Sequence, residues 1–385
     1  MAERPSLDPE RQNRAKEFSR QGRRLALLEM ALGTAYLLAW TVSGSGAVVA
    51  DALEATLLGG WPLQLAAMIG SLAVPWLLVT LPLGYYGGFL LPHRFGQSNQ
   101  TRSSWVLDQA KGFLIGILLG LPLLMGLYGM MRLWPETWWL SAGLGYTVFV
   151  AALSILAPVL LMPLFYKFRP LGEEHAELAD RLTRLSAAAG RNVRGVFAFD
   201  MSRRTKSANA ALVGLARTRR IVLGDTLLDH FPADEVESVL AHELGHDVHR
   251  DIPAGVLVES ALVLGTLWIA RSALQASVGR GDLSAPYDPA GFPMLALVFA
   301  AIGLLQLPLQ NAYSRWRERR ADEFAVRLTG RPRAFADALT RLANQNLADA
   351  DPPRWAVVLF GSHPPLSERI RRADEIGEHT RSAVI

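Results

Sequence analysis

Residues 57–91 read LLGGWPLQLAAMIGSLAVPWLLVTLPLGYYGGFLL, thirty-five positions without one charged side chain. A helix needs about 20 apolar residues to cross ~30 Å of hydrocarbon. This run is long enough to do so, with Pro62, Pro75 and Pro82 expected to kink it. Five further runs repeat the pattern. Leu25–Ala50 carries one charge, Glu29, near its start, and Gly112–Met131 and Trp138–Tyr166 carry none. Ile252–Ala270 is interrupted only by Glu259, and Ala290–Tyr313 is again uncharged. Buried helices of soluble domains average about 11–12 residues and keep a polar face; these segments do neither. The chain therefore reads as a mainly α, polytopic membrane protein of about six spans.

Composition agrees. Of 385 residues, 50% are hydrophobic and 19% charged, and mean hydropathy is +0.19. With no cysteine, a disulfide scaffold, a Cys-ligated zinc ribbon and an iron–sulfur site are excluded. The 39 basic and 35 acidic side chains leave a net charge of only +4, so no nucleic-acid partner is expected. The placement of the basic residues is more telling. Residues 1–24 hold seven Lys and Arg, and the loop after the second run adds Arg94, Arg102 and Lys111. The opposite loops hold none in 51–56, Arg132 alone in 132–137, and Arg271 and Arg280 in 271–289. By the positive-inside rule, residues 1–24 form a basic cytoplasmic tail, and 25–166 hold four transmembrane helices. The polar segment 167–251 returns to the cytoplasm, 252–313 hold two more spans, and 314–385 are cytoplasmic again. The expected setting is the cell membrane, multi-pass, with the lipid bilayer as partner and both termini inside. The two polar segments can then meet as one domain. The first run is no cleaved signal peptide, being too long, behind 24 polar residues and followed by further spans.

Within the polar part, residues 173–190 show helical leucine spacing and end on Gly190. Val193–Phe199, Asn209–Val213 and Arg220–Leu223 read as strands, the last two joined by a GLARTR hairpin. Asp234–Val248 reads as a helix opened by Pro232 and Asp234, and it contains Ala241-His242-Glu243-Leu244-Gly245-His246. This is HExxH. Histidines four apart share one helix face and can grip a single Zn²⁺, one per chain, while the glutamate between them takes a proton from an activated water. That chemistry is peptide hydrolysis with Glu243 as general base.

Two histidines leave the site one protein ligand short. The metzincin position, six past His246, is Ile252. His249 either supports a ligand or stands in solvent. The better candidate follows the last span, where Ser314-Arg315-Trp316-Arg317-Glu318-Arg319-Arg320-Ala321-Asp322 carries ExxxD on a helix. Alone, this pattern is a solvated helix face. Beside an incomplete HExxH, Glu318 becomes the third ligand and Asp322, one turn on, orients a ligand histidine. Glu323 is read as surface.

These residues resemble the M48 peptidases, in the Ste24-type (CAAX prenyl protease 1) branch. Ser207-Ala208-Asn209-Ala210-Ala211-Leu212-Val213-Gly214 is similar to the family's SNAYFYG strand, and Arg220–Leu228 to the strand and turn after it. HELGH, SRxxExxAD and Ser362-His363-Pro364-Pro365-Leu366-Ser367-Glu368-Arg369-Ile370 follow in the family's order. Upstream, Phe95–Thr101 with Asp108 and Lys111 resembles its GFNKQT loop. The resemblance implies an α+β zincin-type domain on the cytoplasmic face and a chamber between the spans, which Glu259 would line. It implies that Asn209 holds the substrate backbone against an edge strand and that His363 stabilises the oxyanion. Arg369, counted with the substrate-binding residues, would support the site by ion pairing. Eukaryotic members have seven spans, five before the zinc domain; here six are read, four before it. Nothing in the sequence reads as an isoprenoid site. The expected substrates are peptides or membrane proteins, C-terminally lipidated (CAAX-like) ones included. The alternative is a non-catalytic, zinc-stabilised membrane scaffold or transporter, against which stands a complete acid–base set beside an open coordination position.

Overall fold

Asp8 starts the first helix, its carboxylate accepting the backbone N–H groups of Glu10 and Arg11 at 2.9 and 3.1 Å. Helix α1 (Pro9–Val42) then runs unbroken from the basic segment into the first apolar run. It stops before Gly44, whose φ of +69° turns the chain, and the rest of that run enters the short α2 (Ser45–Thr56). Most of the expected tail is therefore the first half of a long helix. It is docked on the other end of the chain, with Arg11 Nη1 donating to the Asn344 carbonyl at 3.0 Å and Gln12 Nε2 to that of Ala348 at 3.1 Å. This computed structural model describes residues 4–56, 60–214 and 218–382. The first three positions of the long uncharged run thus lie outside the described residues.

Helix α3 (Gly60–Tyr85) passes through Pro75 and Pro82 and widens into a five-residue π turn, Tyr86–Leu90, before α4 (Leu91–Arg94). Relief by a π turn just beyond a proline is a known way to re-satisfy freed carbonyls. Then come α5 (Arg102–Leu133), α6 (Trp138–Leu160) and α7 (Met162–Phe165). A mixed segment follows: β1 (Phe168–Pro170), α8 (Ala176–Ala188), β2 (Val196–Phe199), β3 (Ala210–Val213), β4 (Arg220–Gly224), α9 (Asp225–His230) and α10 (Ala233–Val248). Two long helices, α11 (Asp251–Arg280) and α12 (Phe292–Thr329), return to apolar sequence before α13 (Pro332–Gln345), α14 (Arg354–Phe360) and α15 (Leu366–Ser382).

Among the described residues, six helical stretches are long and apolar enough to cross a membrane: Pro9–Val42, Gly60–Arg94, Arg102–Leu133, Trp138–Phe165, Asp251–Arg280 and Pro289–Thr329. Their outer faces are apolar, with Leu78, Leu81, Leu118, Leu144 and Leu305 all exposed. Such surface is a liability in water and is matched by lipid.

The sheet has the order β1-β2-β4-β3, with β2 and β4 parallel and both outer pairs antiparallel. The expected hairpin is present as the β3–β4 pair, Ala210 facing Leu223, and residues 215–217 of its turn lie outside the described residues. Strand β1 goes unread in the sequence, being three residues long and ending on Pro170, a residue confined to sheet edges. Among the described residues strand β3 is the other edge, with no strand paired on its outer side. One core packs β4, α8 and α10 through Leu182, Ile221, Leu223, Leu240 and Leu244, and a second joins α10 to α12, α13 and α15 through Ala241, Ala325 and Phe335. Helix α10 serves both.

A third cluster, Leu65, Met68, Tyr128, Met131, Trp138 and Leu274 among others, binds the membrane helices together. Beside it are two apolar cavities of about 550 and 540 Å³, which share Phe292 and Phe299 of α12. Tyr146 lines the first and donates its hydroxyl to Glu259 Oε1 at 2.7 Å; Glu259 itself is exposed.

An even number of crossings puts both termini on one side. Reporter fusions at Met1 and Ile385 should report the same side, and one within 51–56 the opposite side. Opposite readings at the two termini would break the six-span count.

Candidate active site

Helix α10 is fixed before it carries any chemistry. Its first turn holds Asp234 and Glu235, favourable at the positive end of a helix. Arg341 donates to both Glu235 oxygens at 2.8 and 3.0 Å, and Arg181 and Arg331 both reach Glu237 at 2.8 Å. At the far end Asp247 receives Arg219 at 3.0 Å and Arg191. Between these anchors Gly245 lets α12 come close: a Cβ there would stand 3.0 Å from the Ala321 Cα. That contact sets the HExxH turn against the ExxxD turn.

His242 and His246 point the same way, their Nε2 atoms 3.2 Å apart. Glu318 closes the third side, with Oε2 3.3 Å from His242 Nε2 and Oε1 3.4 Å from His246 Nε2. One donor atom from each of the three lies within 4.8 Å of the others, compact enough to hold one metal ion. The fit is chemical as well as geometric. Glu318 is buried, and its Oε2 has no hydrogen-bond partner, a costly state that a cation would relieve. Two imidazole nitrogens and a carboxylate are a donor set suited to zinc.

Both histidines are aimed from behind. The Nδ1 of His242 is 2.9 Å from Asp322 Oδ1, and that of His246 is 2.8 Å from Asp251 Oδ2. A carboxylate on the second ring nitrogen fixes ring orientation and leaves Nε2 free for a metal. Asp322 is held in turn by Arg369, which donates to its two oxygens at 2.6 and 2.9 Å. Burial alone would lower the His242 pKa, but the neighbouring carboxylates of Asp322 and Glu318 outweigh it and push it up to about 9.

The structure brings together His242, Glu243, His246, Glu318, Asp322, His363 and Arg369. Glu243 is half-buried beside the histidines; burial raises its pKa, while the neighbouring imidazoles pull it down. His363 sits at the mouth, exposed, with Nε2 3.4 Å from Glu318 Oε1 and Nδ1 2.9 Å from Ser362 Oγ. Arg369 is buried behind the ligands, so its contact is with Asp322 and not with the mouth where a substrate would enter. Asn209 is exposed at the start of edge strand β3. Glu323 lies apart, paired with Arg327 on the outside of α12. His249 packs its ring edge-on to Phe324 at 5.7 Å and takes no part in the cluster.

Two residues escape the sequence reading. Asp251 sits at the first position of an apolar helix, where it reads only as a boundary. Its role depends on Arg250, whose left-handed φ of 56° folds the chain back so that Asp251 meets His246. An acid buried at the junction of HExxH and a span is the one available signal. Asn346, the C-cap of α13, bonds both the N–H and the carbonyl of Ala208 at 2.8 and 3.2 Å, holding the approach to β3.

Comparison with known proteins follows the same division of the chain. The family described as Peptidase family M48 matches residues 173–377, and that described as CAAX prenyl protease N-terminal, five membrane helices, matches 2–167. Among the described residues of that second segment there are four long apolar helices, with the short α2 between the first two. An uncharacterized metalloprotease of Bacillus subtilis, YhfN, is 29% identical over 317 residues, 81% of this chain and 74% of its own length. The CAAX prenyl protease 1 of Saccharomyces cerevisiae is 29% identical over 340 residues, covering 83% and 74%. The CAAX prenyl protease 1 homolog of Oryza sativa is 30% identical over 314 residues, covering 78% and 71%. In fold, the crystal structure of Ste24p from S. mikatae superposes with a TM-score of 0.84 over 96% of this chain and 90% of that one, at 24% identity. The chain belongs to peptidase family M48, in its membrane-embedded CAAX prenyl protease 1 branch, and is a zinc metalloendopeptidase.

Proposed function

We propose that the protein hydrolyses peptide bonds of membrane-associated or C-terminally lipidated, CAAX-like proteins at one zinc ion held by His242, His246 and Glu318. The observation that carries this reading is the buried, unpartnered Glu318 Oε2 facing two Nε2 atoms whose rings are held by Asp322 and Asp251. The relatives named CAAX prenyl protease 1 support the substrate class. Residues 167–251 and 314–385 act as one peptidase unit split by two spans, and the Lys and Arg bias supports a cytoplasmic position for it and for both termini. A scaffold or transporter would have no use for a general base beside the ligands.

When bound, zinc supplies Lewis-acid polarisation and makes water a nucleophile at neutral pH. The rest is done by side chains. Edge strand β3 takes the peptide as an added strand, with Asn209 holding its backbone. Glu243, whose raised pKa brings it toward working pH, accepts the water's proton and passes it to the leaving nitrogen. His363 donates from Nε2 to the developing oxyanion. Asp322 and Asp251 keep the ligand rings from turning, and Arg369 keeps Asp322 in place.

Glu318→Gln should lose most bound zinc by metal analysis, whereas Glu323→Gln should retain it; equal content would remove Glu318 from the site. Asp322→Asn and Asp251→Asn should each weaken zinc roughly 10–100-fold.

Ligands bind metal deprotonated, and without metal the Asp322 and Glu318 carboxylates push the His242 pKa up to about 9. Zinc uptake at pH 7 should therefore release protons, with apparent affinity rising from pH 6 to 9. A flat profile by calorimetry in two buffers would show that His242 is not a ligand.

Glu243→Gln keeps shape and ligands but cannot move the proton. With detergent-purified protein and a quenched peptide, turnover should fall by ~10²–10⁴-fold or more, while zinc stoichiometry and melting temperature stay near wild type. Turnover like that of the wild type would sink this mechanism.

A further inference from the structure

The loop between α4 and α5 is used by nothing described so far, yet it is bonded along its length to the approach to β3. Ser98 and Thr205 form an isolated antiparallel bridge. Around it Asn99 N donates to the Arg204 carbonyl at 3.0 Å and Lys206 N to the Gln97 carbonyl at 3.2 Å. Asn99 Nδ2 reaches the Ser202 carbonyl at 2.9 Å, and Thr205 Oγ1 that of Gln97 at 3.0 Å. Beneath the bridge, Arg204 donates Nε and Nη2 to the two oxygens of Asp108 at 2.8 and 2.9 Å, and Gln100 Nε2 adds a third bond at 2.7 Å. Asp108 stands in the second turn of α5, whose N-cap is Thr101. Both members of the pair are largely buried, at 10% and 14% side-chain exposure, and the guanidinium lies over the Tyr166 ring at 4.9 Å.

Five residues beyond Arg204 is Asn209. The chain between has little freedom: Thr205 Oγ1 accepts from Ser207 N at 3.1 Å, Thr226 Oγ1 bonds the Ser207 carbonyl at 2.7 Å, and Asn346 holds Ala208 on both sides. A rigid path thus leads from a membrane helix to the edge strand that flanks the site.

We propose that Asp108, Arg204 and the 97–100 loop are positioning residues that hold β3 at a set place relative to the spans, and so select substrates anchored in the membrane. The inference rests on the reading of β3 as the substrate strand. A soluble peptide needs only the strand and the metal cluster. An anchored one must engage strand and membrane together, and the gain from a second attachment vanishes when geometry forbids both at once.

The test uses the full chain in detergent with two peptides of one sequence, one bare and one carrying a single alkyl chain on a cysteine near the scissile bond. Asp108→Asn should lower kcat/KM for the alkylated peptide by about 10²-fold, the cost of a misplacement of about 1 Å. The bare peptide should stay within about threefold and zinc content should be unchanged. The reciprocal exchange, Asp108→Arg with Arg204→Asp, should recover much of the alkylated-peptide activity, and it carries the test should the single variant fold poorly. Equal losses on both peptides, or no loss on the alkylated one, would overturn the proposal. Asn209→Ala, run alongside, should slow both peptides alike. If it slows neither, the substrate-strand reading fails by itself and the positioning role falls with it. Loss on both with an indifferent Asp108→Asn removes the positioning role alone.

Discussion

Gly245 and Ala321 meet so closely that another carbon between them would be crowded, and the arrangement of the site follows from that approach. A Cβ at Gly245 would lie 3.0 Å from the Ala321 Cα and 3.2 Å from its carbonyl oxygen. Backbone at that distance cannot yield as a flexible side chain would, so any larger residue must push α10 and α12 apart. Gly245 directly precedes His246, and Ala321 directly precedes Asp322 and lies three residues after Glu318. Opening the helix crossing would therefore separate both histidines from the carboxylate that completes the cluster. The two small residues convert a sequence separation of more than seventy positions into contact distances near 3 Å.

Much of this was legible in the sequence because it rests on short periods. Uncharged runs of twenty residues or more have one stable use, and HExxH is a statement about one helix face. ExxxD is another, and once a ligand is missing the two motifs call for each other. What could not be read depends on tertiary arrangement. The end of the first span at Val42, rather than at Ala50, turns on a single left-handed glycine. Asp251 meets His246 only because Arg250 reverses the chain. The exposure of Asn209 at an edge follows from the strand order, with β3 outermost, and strand order is not encoded in any local pattern. The family resemblance supplied that residue; the residues alone did not.

The charges around the cluster form a chain in which each buried group has an opposite neighbour. Arg369 holds Asp322, Asp322 holds His242, and Asp251 holds His246. Removing one member of such a buried set leaves an uncompensated charge and is strongly destabilising, although the set as a whole adds little net stability. Its worth is in direction. A ring held at Nδ1 has one way to present Nε2, and a buried oxygen of Glu318 faces the point where the donor atoms converge.

The candidate site connects to the long apolar helices by two routes. One is α12, a single helix that lines the apolar cavities at Phe299 and carries Glu318 nineteen residues later, about 28 Å along its axis at ~1.5 Å per residue. The His-His-Glu cluster is thus tied to the spans by a continuous rod. The other runs through β3, which belongs to none of those helices. Its sheet is joined to the preceding span through α7 and the three residues of β1, too short a strand to set a distance by itself. A further tie is lateral, from α5 through Asp108 and Arg204 to the stretch before Asn209. Glu318 is thus placed by covalent continuity along α12, and β3 by its packing on α10, which crosses α12 at Gly245, while one ion pair and one β-bridge tie the approach to β3 to α5.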